Sequence, residues 1–496
     1  MFLKVVAVTG AVVTRDGQVR AEGRPYDHAT LGPLEDWLDA QAGPGVIDGI
    51  AERASLDERY VKGKYRRLLS AAFMIRVIVL WTLMPEARMS DVIIALAGDL
   101  ALLPWSRRWH PASERACLDW RRALGPAPLE ELQDTVLAAA TGEHAARDGQ
   151  SLTIGKNRPL TVDSADGSLL RVPDTPENRA EFGSVGTADG SAAWPCVRLL
   201  PLSSCFTRSL LAMPWGPAGT DKTASEQRLL DAAMKDFPHV FSKDQVWLLD
   251  RLRHGVPRLK ALAGLTHWAA RLKSDITLKK ISEILPDHSY LAEITGDGVT
   301  MTVRVIEYDV RVEGQTVPEM FCLITGLLDW EEYPGPELAA LYKWRWDGSE
   351  TALREAKAPL HGAGPGTGAM LRSGSPELIA QEIAAWAASA EMTRGVTRDA
   401  ALAAAPARKG RRAGQPVRYR DLSLTRARRL ILAAIRSGKT SYKTLTSRIA
   451  EYRTVTDRNR HRARKSKSPS AFAHAGPKDT ITRIAPAVIT MANTPA

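Results

Sequence analysis

Cysteine is scarce in this chain, with four residues in 496, at Cys117, Cys196, Cys205 and Cys322. No Cys-x-x-Cys pair or Cys/His cluster accompanies them, which argues against a disulfide framework and against structural zinc. They read as buried thiols. Long apolar runs are missing too. The most apolar stretch, 71–84, is interrupted by Arg76 and falls well short of the roughly 20 residues that a membrane helix needs. No membrane association is expected. The N-terminal MFLKVVAVTGAVV is broken by Lys4 and lacks a small-residue cleavage site, so the chain reads as cytoplasmic. A glycine-rich loop, GAGPGTG at 362–368, neither ends in Lys-Ser/Thr nor follows a strand, which excludes a phosphate-cradling P-loop.

What is present fits a globular protein, with 44% hydrophobic and 25% charged residues and a length that calls for two or three domains. The net charge of +11 is local. Between Arg408 and Lys467 twenty Lys and Arg face three acids, so the remainder of the chain is slightly acidic. Clusters such as Arg426, Arg428 and Arg429, or Arg460, Arg462, Arg464 and Lys465, suit phosphate backbones; the alternative is compositional bias on a mobile tail.

Along the chain, helical spacing over 47–67 and an apolar helix over 71–84, closed by Pro85, predict a helical first third. Helices over 89–100 and 111–123, flanked by Arg107, Arg108, Arg115, Arg121 and Arg122, read either as a helix-turn-helix unit or as plain surface charge. Over 141–159 the composition turns to Gly, Asp, Asn and Lys, which reads as a linker. Strand-like pieces follow at 160–163 and 169–172, around Asp166. The run 246–249 predicts a fully buried strand ending directly in Asp250, the usual place for chemistry in an open α/β sheet. A helix then a strand are expected over 259–272, ending in Arg271 and Lys273. From 290 to 328 the pattern alternates with period two, predicting a strand-rich insert. An Ala-rich helix over 376–392 and a basic, low-complexity, disordered end complete the chain.

The run YKWRWDGSETALREAK, 342–357, gathers the densest chemistry. Asp347, Gly348 and Ser349 predict a helix start near Glu350, with Ser349 as N-cap. Glu350, Arg354 and Lys357 then share a face, and Tyr342 and Arg345 approach from the preceding turn. A carboxylate flanked by cations suits a metal and a phosphate; the alternative is a solvated helix with a Glu350–Arg354 pair. Asp166, Asp250 and Glu350 each sit where secondary structure holds a carboxylate rigidly. Such hard oxygen donors suit Mg²⁺.

Several of these blocks resemble one known family. Tyr342, Arg345, Glu350 and Lys357 follow in order the Tyr-x2-Arg-x3-Glu-x6-Lys signature of the insertion-sequence-four branch of bacterial DDE transposases. SADGSLLRVPDTPENRAEFG is similar to the block around that family's first catalytic Asp, and VWLLDRLRHG to its strand ending in the second. HWAARLKSD, RVIEYDV and FCLITGLLDWEEYPGPELAALY agree further. There are two departures: one extra residue between Arg345 and Glu350, and Leu252 and Arg253 where Gly-Phe is expected.

The resemblance implies an α/β ribonuclease-H-like catalytic domain with a β-rich insert, preceded by an all-α N-terminal DNA-binding domain. The expected bounds are 1–145 for the helical domain, 155–400 for the catalytic domain with its insert at about 275–330, and 405–496 for a basic, partly disordered extension. Asp166, Asp250 and Glu350 are then the catalytic residues and the ligands of two Mg²⁺ ions, with Mn²⁺ an acceptable substitute; Asp163 and Asp174 are neighbours. Tyr342, Arg345, Lys357, Arg271 and Lys273 become DNA-phosphate contacts, and Trp344 or Trp346 either stacks on a base or joins the core. The implied partners are double-stranded DNA at terminal inverted repeats, target DNA and a second copy in a homodimer. The implied place is the bacterial cytoplasm, at the nucleoid. The competing readings are a catalytically decayed DNA-binding regulator and a plain metal-dependent nuclease.

Overall fold

The computed structural model describes residues 11–13, 19–21, 29–54, 56, 69–97, 112–146, 152–183, 194–218, 225–250, 255–272, 277–311, 319–360, 369–406, 414–453 and 480–484. In chain order, a short pair β1 (Ala11–Val13) and β2 (Val19–Ala21) precedes helices α1 (Pro33–Ala42), α2 (Val46–Arg53), α3 (Ala71–Leu83), α4 (Met89–Ala97), α5 (Glu114–Leu124) and α6 (Ala127–Ala146). Then come β3 (Thr153–Ile154), β4 (Leu160–Ala165), β5 (Ser168–Arg171), α7 (Pro176–Phe182), β6 (Cys196–Leu199), β7 (Leu202–Ser204), β8 (Leu210–Ala212) and β9 (Trp215–Pro217). They are followed by α8 (Glu226–Asp236), β10 (Gln245–Leu249), α9 (Val256–Leu265), β11 (His267–Arg271), β12 (Lys279–Lys280), β13 (Tyr290–Gly296), β14 (Val299–Arg311) and β15 (Glu319–Thr325). The last elements are α10 (Gly335–Tyr342), a π-helical turn (Asp347–Thr351), α11 (Ala352–Lys357), α12 (Pro376–Ala403), α13 (Leu424–Ser437), α14 (Tyr442–Glu451) and β16 (Thr480–Ile484).

The chain divides into two compact units. One comprises Met1–Glu143, Leu170–Cys196 and Glu355–Thr456; the other comprises His144–Leu169, Val197–Arg354 and Asp457–Ala496. The helical unit therefore takes residues from 355 onward that the sequence reading assigned to the catalytic domain. It also takes most of the basic segment.

In the helical unit, α3 is buried from Phe73 to Leu83 and packs against the 28-residue α12. Both helices are buried nearly all round; α3 is apolar apart from Arg76 and Thr82, while α12 carries polar and charged side chains into the core as paired groups. The cation inside α3 has a specific answer. Arg76 donates to both oxygens of Glu35 at 2.8 and 2.9 Å and to both of Asp48 at 3.0 Å, so its charge is buried in a paired and hydrogen-bonded state. In α12, Glu391 holds Arg394 at 3.2 Å and Arg398 at 2.8 Å by the same logic. Gly395 has no room for a side chain, since a Cβ would fall 2.1 Å from the Trp37 indole. Within the basic segment, for which a mobile tail was the alternative reading, α13 and α14 pack on α12 and on each other. The physical reason is their apolar spacing: Ala427, Ile431, Ala434, Ile435, Leu445 and Ile449 all enter the same core. The low-complexity end, 454–479, and the glycine-rich loop, 361–368, lie outside the described residues. So do 101–111, the turn of the expected helix-turn-helix.

The second unit is built on an eleven-stranded sheet with the path β12-β13-β14-β15-β11-β10-β4-β7-β8, with β16 on β14 and β3 on β4. At its centre β4, β10 and β11 run parallel, and the other pairings are antiparallel. Central parallel strands are covered on both faces, which is why Val246, Trp247, Leu248 and Leu249 form an unbroken apolar run, every one buried. The strands expected at 290–328 form as antiparallel pairs. They are not a separate module, because β15 hydrogen-bonds to β11 and makes them a continuation of the central sheet. The β13–β14 hairpin turns through Asp297 and Gly298 with φ of 49° and 74°, the Asp-Gly pair that a tight hairpin favours.

Candidate active site

Ala165 and Leu249 are register partners on the parallel pair β4–β10, so the next residues, Asp166 and Asp250, leave adjacent strands side by side. This is the carboxyl end of a parallel pair, where open α/β sheets carry their ligands. Arg345 sits between the two acids. Its Nη1 donates to Asp166 Oδ2 at 3.0 Å and its Nη2 lies 3.7 Å from Asp250 Oδ1, with the arginine side chain only 4% exposed. Burial raises the Asp166 carboxyl above the usual carboxylate range, Arg345 opposes that, and Asp250 adds to it. Burial also works against the charge of Arg345, but Tyr342, Asp166 and Asp250 outweigh it, and the guanidinium stays charged.

Tyr342 is buried and its hydroxyl donates to the Leu249 carbonyl at 2.8 Å, fixing the residue immediately before Asp250. Burial lifts its pKa to about 12, so it remains a donor. In this structure Tyr342 and Arg345 frame the two aspartates from within the fold. Arg271, at the end of β11, is likewise buried, with its guanidinium 3.9 Å from the centre of the Phe321 ring. Lys273 lies outside the described residues. Lys357 ends α11 in the helical unit, half-buried, and burial lowers its amine to about 8. Trp344 packs on the core beside Phe206, with ring centres 6.5 Å apart, which favours its reading as a core residue.

The expected helix start at Glu350, with Ser349 as N-cap, is not what forms. The backbone is already helical at Trp346 (φ −61°, ψ −36°), and it passes through the π turn into α11. Ser349 Oγ donates back to the Arg345 carbonyl at 2.8 Å, four residues earlier, which is a side chain's action inside a helix and not at a cap. The Ala352 N–H reaches the Asp347 carbonyl, five residues back. A π turn accommodates an added residue within a helix without ending it. It falls where this chain has one residue more than the family signature.

Two contacts hold this turn, and neither was read from the sequence. Gly348 lies so close to β4 and the following turn of β7 that a Cβ would fall 2.6 Å from Ser164 Oγ and 2.7 Å from Cys205 Cα. Beside it Asp347 receives Arg208 in bidentate fashion, Nη2 at 2.6 Å and Nε at 3.2 Å, with both side chains largely buried. Arg208 holds a left-handed backbone (φ 58°), uncommon for a residue with a side chain. Asp347 was visible in the signature run; nothing local marks Arg208.

Glu350 is exposed on the π turn. Among the described residues no three acid, His or Cys side chains are grouped closely enough to hold a metal ion. The structure thus brings Asp166 and Asp250 together and does not bring Glu350 into a metal-holding cluster with them. Donor chemistry and charge nevertheless fit a divalent cation. Two hard oxygen donors converge on one point, and a guanidinium already supplies positive charge there.

No protein-family model matches the chain. Over 236 residues it is 26% identical to the transposase InsG for insertion sequence element IS4 of Escherichia coli strain K12, a match covering 45% of this chain and 49% of that protein. The chain thus spans about half the length of the curated relative it matches. Among solved structures, the piggyBac transposase in a synaptic complex with hairpin DNA aligns over 85% of both chains, with a TM-score of 0.43 and 13% identity.

Proposed function

We propose that the chain is a DNA transposase of the DDE type, with a ribonuclease-H-like catalytic unit, that binds transposon ends and carries out metal-dependent strand cleavage and strand transfer. The observation that carries this reading is the pairing of Asp166 and Asp250 at the ends of adjacent parallel strands, joined by Arg345 from the signature run. The sequence likeness to a transposase over 236 residues supports it.

Asp166, Asp250 and Glu350 are the residues that would hold two Mg²⁺ ions. Such ions, when bound, activate an attacking oxygen and neutralise charge at the phosphodiester. The chain's own residues prepare the site. Tyr342 fixes the end of β10 through the Leu249 carbonyl and so sets the Asp250 backbone. Arg345 holds the two like charges side by side. Gly348 and the Arg208–Asp347 pair anchor the turn that carries Glu350. Phosphate contact falls to Lys357 and, by the resemblance, Lys273. DNA at terminal inverted repeats, target DNA and a second copy of the chain are the proposed partners.

Among the described residues no helix is long and apolar enough to cross a membrane. Mg²⁺-dependent cleavage of inverted-repeat DNA by the purified protein tests the reading. DNA binding without cleavage would leave the decayed regulator, and cleavage without joining to target DNA would leave a nuclease.

A further inference from the structure

Ten Lys and Arg face two acids between Arg418 and Arg453, and this segment is folded. Helix α13 ends at Gly438, in a left-handed conformation (φ 59°), and four residues from 438 to 441 lead into α14. Ser441 caps α14, its Oγ accepting from the Thr444 N–H at 3.3 Å. The pair is closed at its base, where Ser423 N donates to the Tyr452 carbonyl at 3.0 Å and Leu422 bridges Arg453. The Tyr442 hydroxyl donates to Asp399 on α12 at 2.6 Å and pins the start of α14. Ile431, Ile435, Leu445 and Ile449 fill the inner side. Two helices joined by a short turn containing glycine make a helix-turn-helix.

The outer side of the first two turns of α14 carries hydrogen-bond donors, and the exposed acid of that face, Glu451, comes only at the end of the helix. Lys443, Thr444, Ser447 and Arg448 are exposed on α14 at i, i+1, i+4 and i+5, and so share a face in its first two turns. Every one of them can donate a hydrogen bond. Arg429 and Arg436 on α13 and Lys439 in the turn are exposed alongside. Among the described residues none of Arg429, Arg436, Lys439, Lys443 and Arg448 forms an ion pair, and all five are exposed.

We infer that α13 and α14 form a double-stranded-DNA-binding site, with α14 laid into the major groove and the cations of α13 and the turn on the flanking phosphates. A row of exposed cations beside a short polar helix face matches a groove between two phosphate ridges. The inference does not depend on the cleavage chemistry. A chain that binds through α14 and cuts nothing satisfies it.

The test uses the full-length chain and fluorescence anisotropy with random-core duplexes of about 30 base pairs, a length that exceeds two turns of DNA. Arg429→Gln with Arg436→Gln removes two phosphate contacts, and the slope of log affinity against log salt should fall by about 1.8 for every duplex tested. Lys443→Gln, Ser447→Ala and Arg448→Gln together should instead erase the sequence preference recovered by selection from the duplex pool. All five residues are exposed, and circular dichroism melts confirm that the variants fold. Unchanged affinity, salt slope and preference in folded variants would overturn the inference. Equal or tighter binding to single-stranded DNA or to RNA of the same length would overturn it too. Glu350→Gln reports separately on the cleavage reading and should leave this binding intact.

Discussion

The Arg345 guanidinium donates to Asp166 at 3.0 Å from a position almost wholly out of solvent. A buried charge of that kind is retained only where its partners are fixed, and Arg345 reaches a second acid, Asp250, at 3.7 Å. This makes the arginine a positioning residue for both carboxylates. In Arg345→Gln, burial and the nearby Asp250 would act on Asp166 without the opposing cation, and its pKa, already raised, should climb further. On the proposed mechanism, which needs an ionised Asp166, the acid limb of the cleavage pH profile should move to higher pH. A residue that only touched DNA would raise KM and leave that limb in place.

One of the two contacts that hold the π turn is the close approach at Gly348. Gly348→Ala would place a methyl 2.7 Å from the Cys205 Cα, against backbone that cannot rotate away. The expected cost is roughly 1–3 kcal/mol. Ser349→Ala loses the hydrogen bond to the Arg345 carbonyl together with the Ser349 contact to the Asp166 carboxyl, and should cost about 1 kcal/mol or more. Urea denaturation midpoints measure both. Equal midpoints for Gly348→Ala and wild type would show that the turn is not held at this contact.

How much of this was legible beforehand follows from what kind of signal each feature leaves. Asp250 could be read because an unbroken apolar run ending in Asp is the local mark of a buried parallel strand, whereas Asp166 follows the mixed strand LTVDSA and rested on the resemblance of the block around it. The alternation over β13 and β14 was equally local, although the joining of β15 to β11, which sets those strands in the main sheet, was not. Asp347-Gly348-Ser349 reads as a helix start by propensity, yet Arg208, 139 positions away in sequence, and the packing of Gly348 carry the helix through it. Tertiary contact overrode propensity there. The resemblance makes Arg345 a phosphate contact; the register of β4 and β10 also sets two acids against it, which no local pattern announces. The two C-terminal helices were hidden by their own charge, which masks the spacing of Ile431, Ile435, Leu445 and Ile449.

Asp163 on β4 is fully buried, and burial raises its carboxyl from 3.8 to about 8. The folded state therefore keeps a proton that the unfolded chain releases near pH 4, and folding binds protons between those values. Stability from this group is complete below about pH 4 and falls as pH rises toward 8, by at most about 1.4 kcal/mol per pH unit. Asp163→Asn, which cannot ionise, should lose that slope and gain stability relative to wild type at pH 8. Urea midpoints at pH 5, 6.5 and 8 decide it, and an unchanged slope in the variant would assign the dependence to other groups.

The central claim is that Asp166 and Asp250 act with Glu350, the acid carried on the π turn. Glu355 is the first alternative to test, but it is half-buried in the helical unit, where Tyr419 donates to it at 3.4 Å. The decisive measurement is Mg²⁺-dependent cleavage of inverted-repeat DNA by wild type, Glu350→Gln and Glu355→Gln, with end binding followed in parallel. Glu350→Gln keeps shape and removes charge, so cleavage should fall by orders of magnitude while binding persists, and Glu355→Gln should still cleave. Wild-type cleavage by Glu350→Gln, or its loss in Glu355→Gln alone, would contradict the assignment.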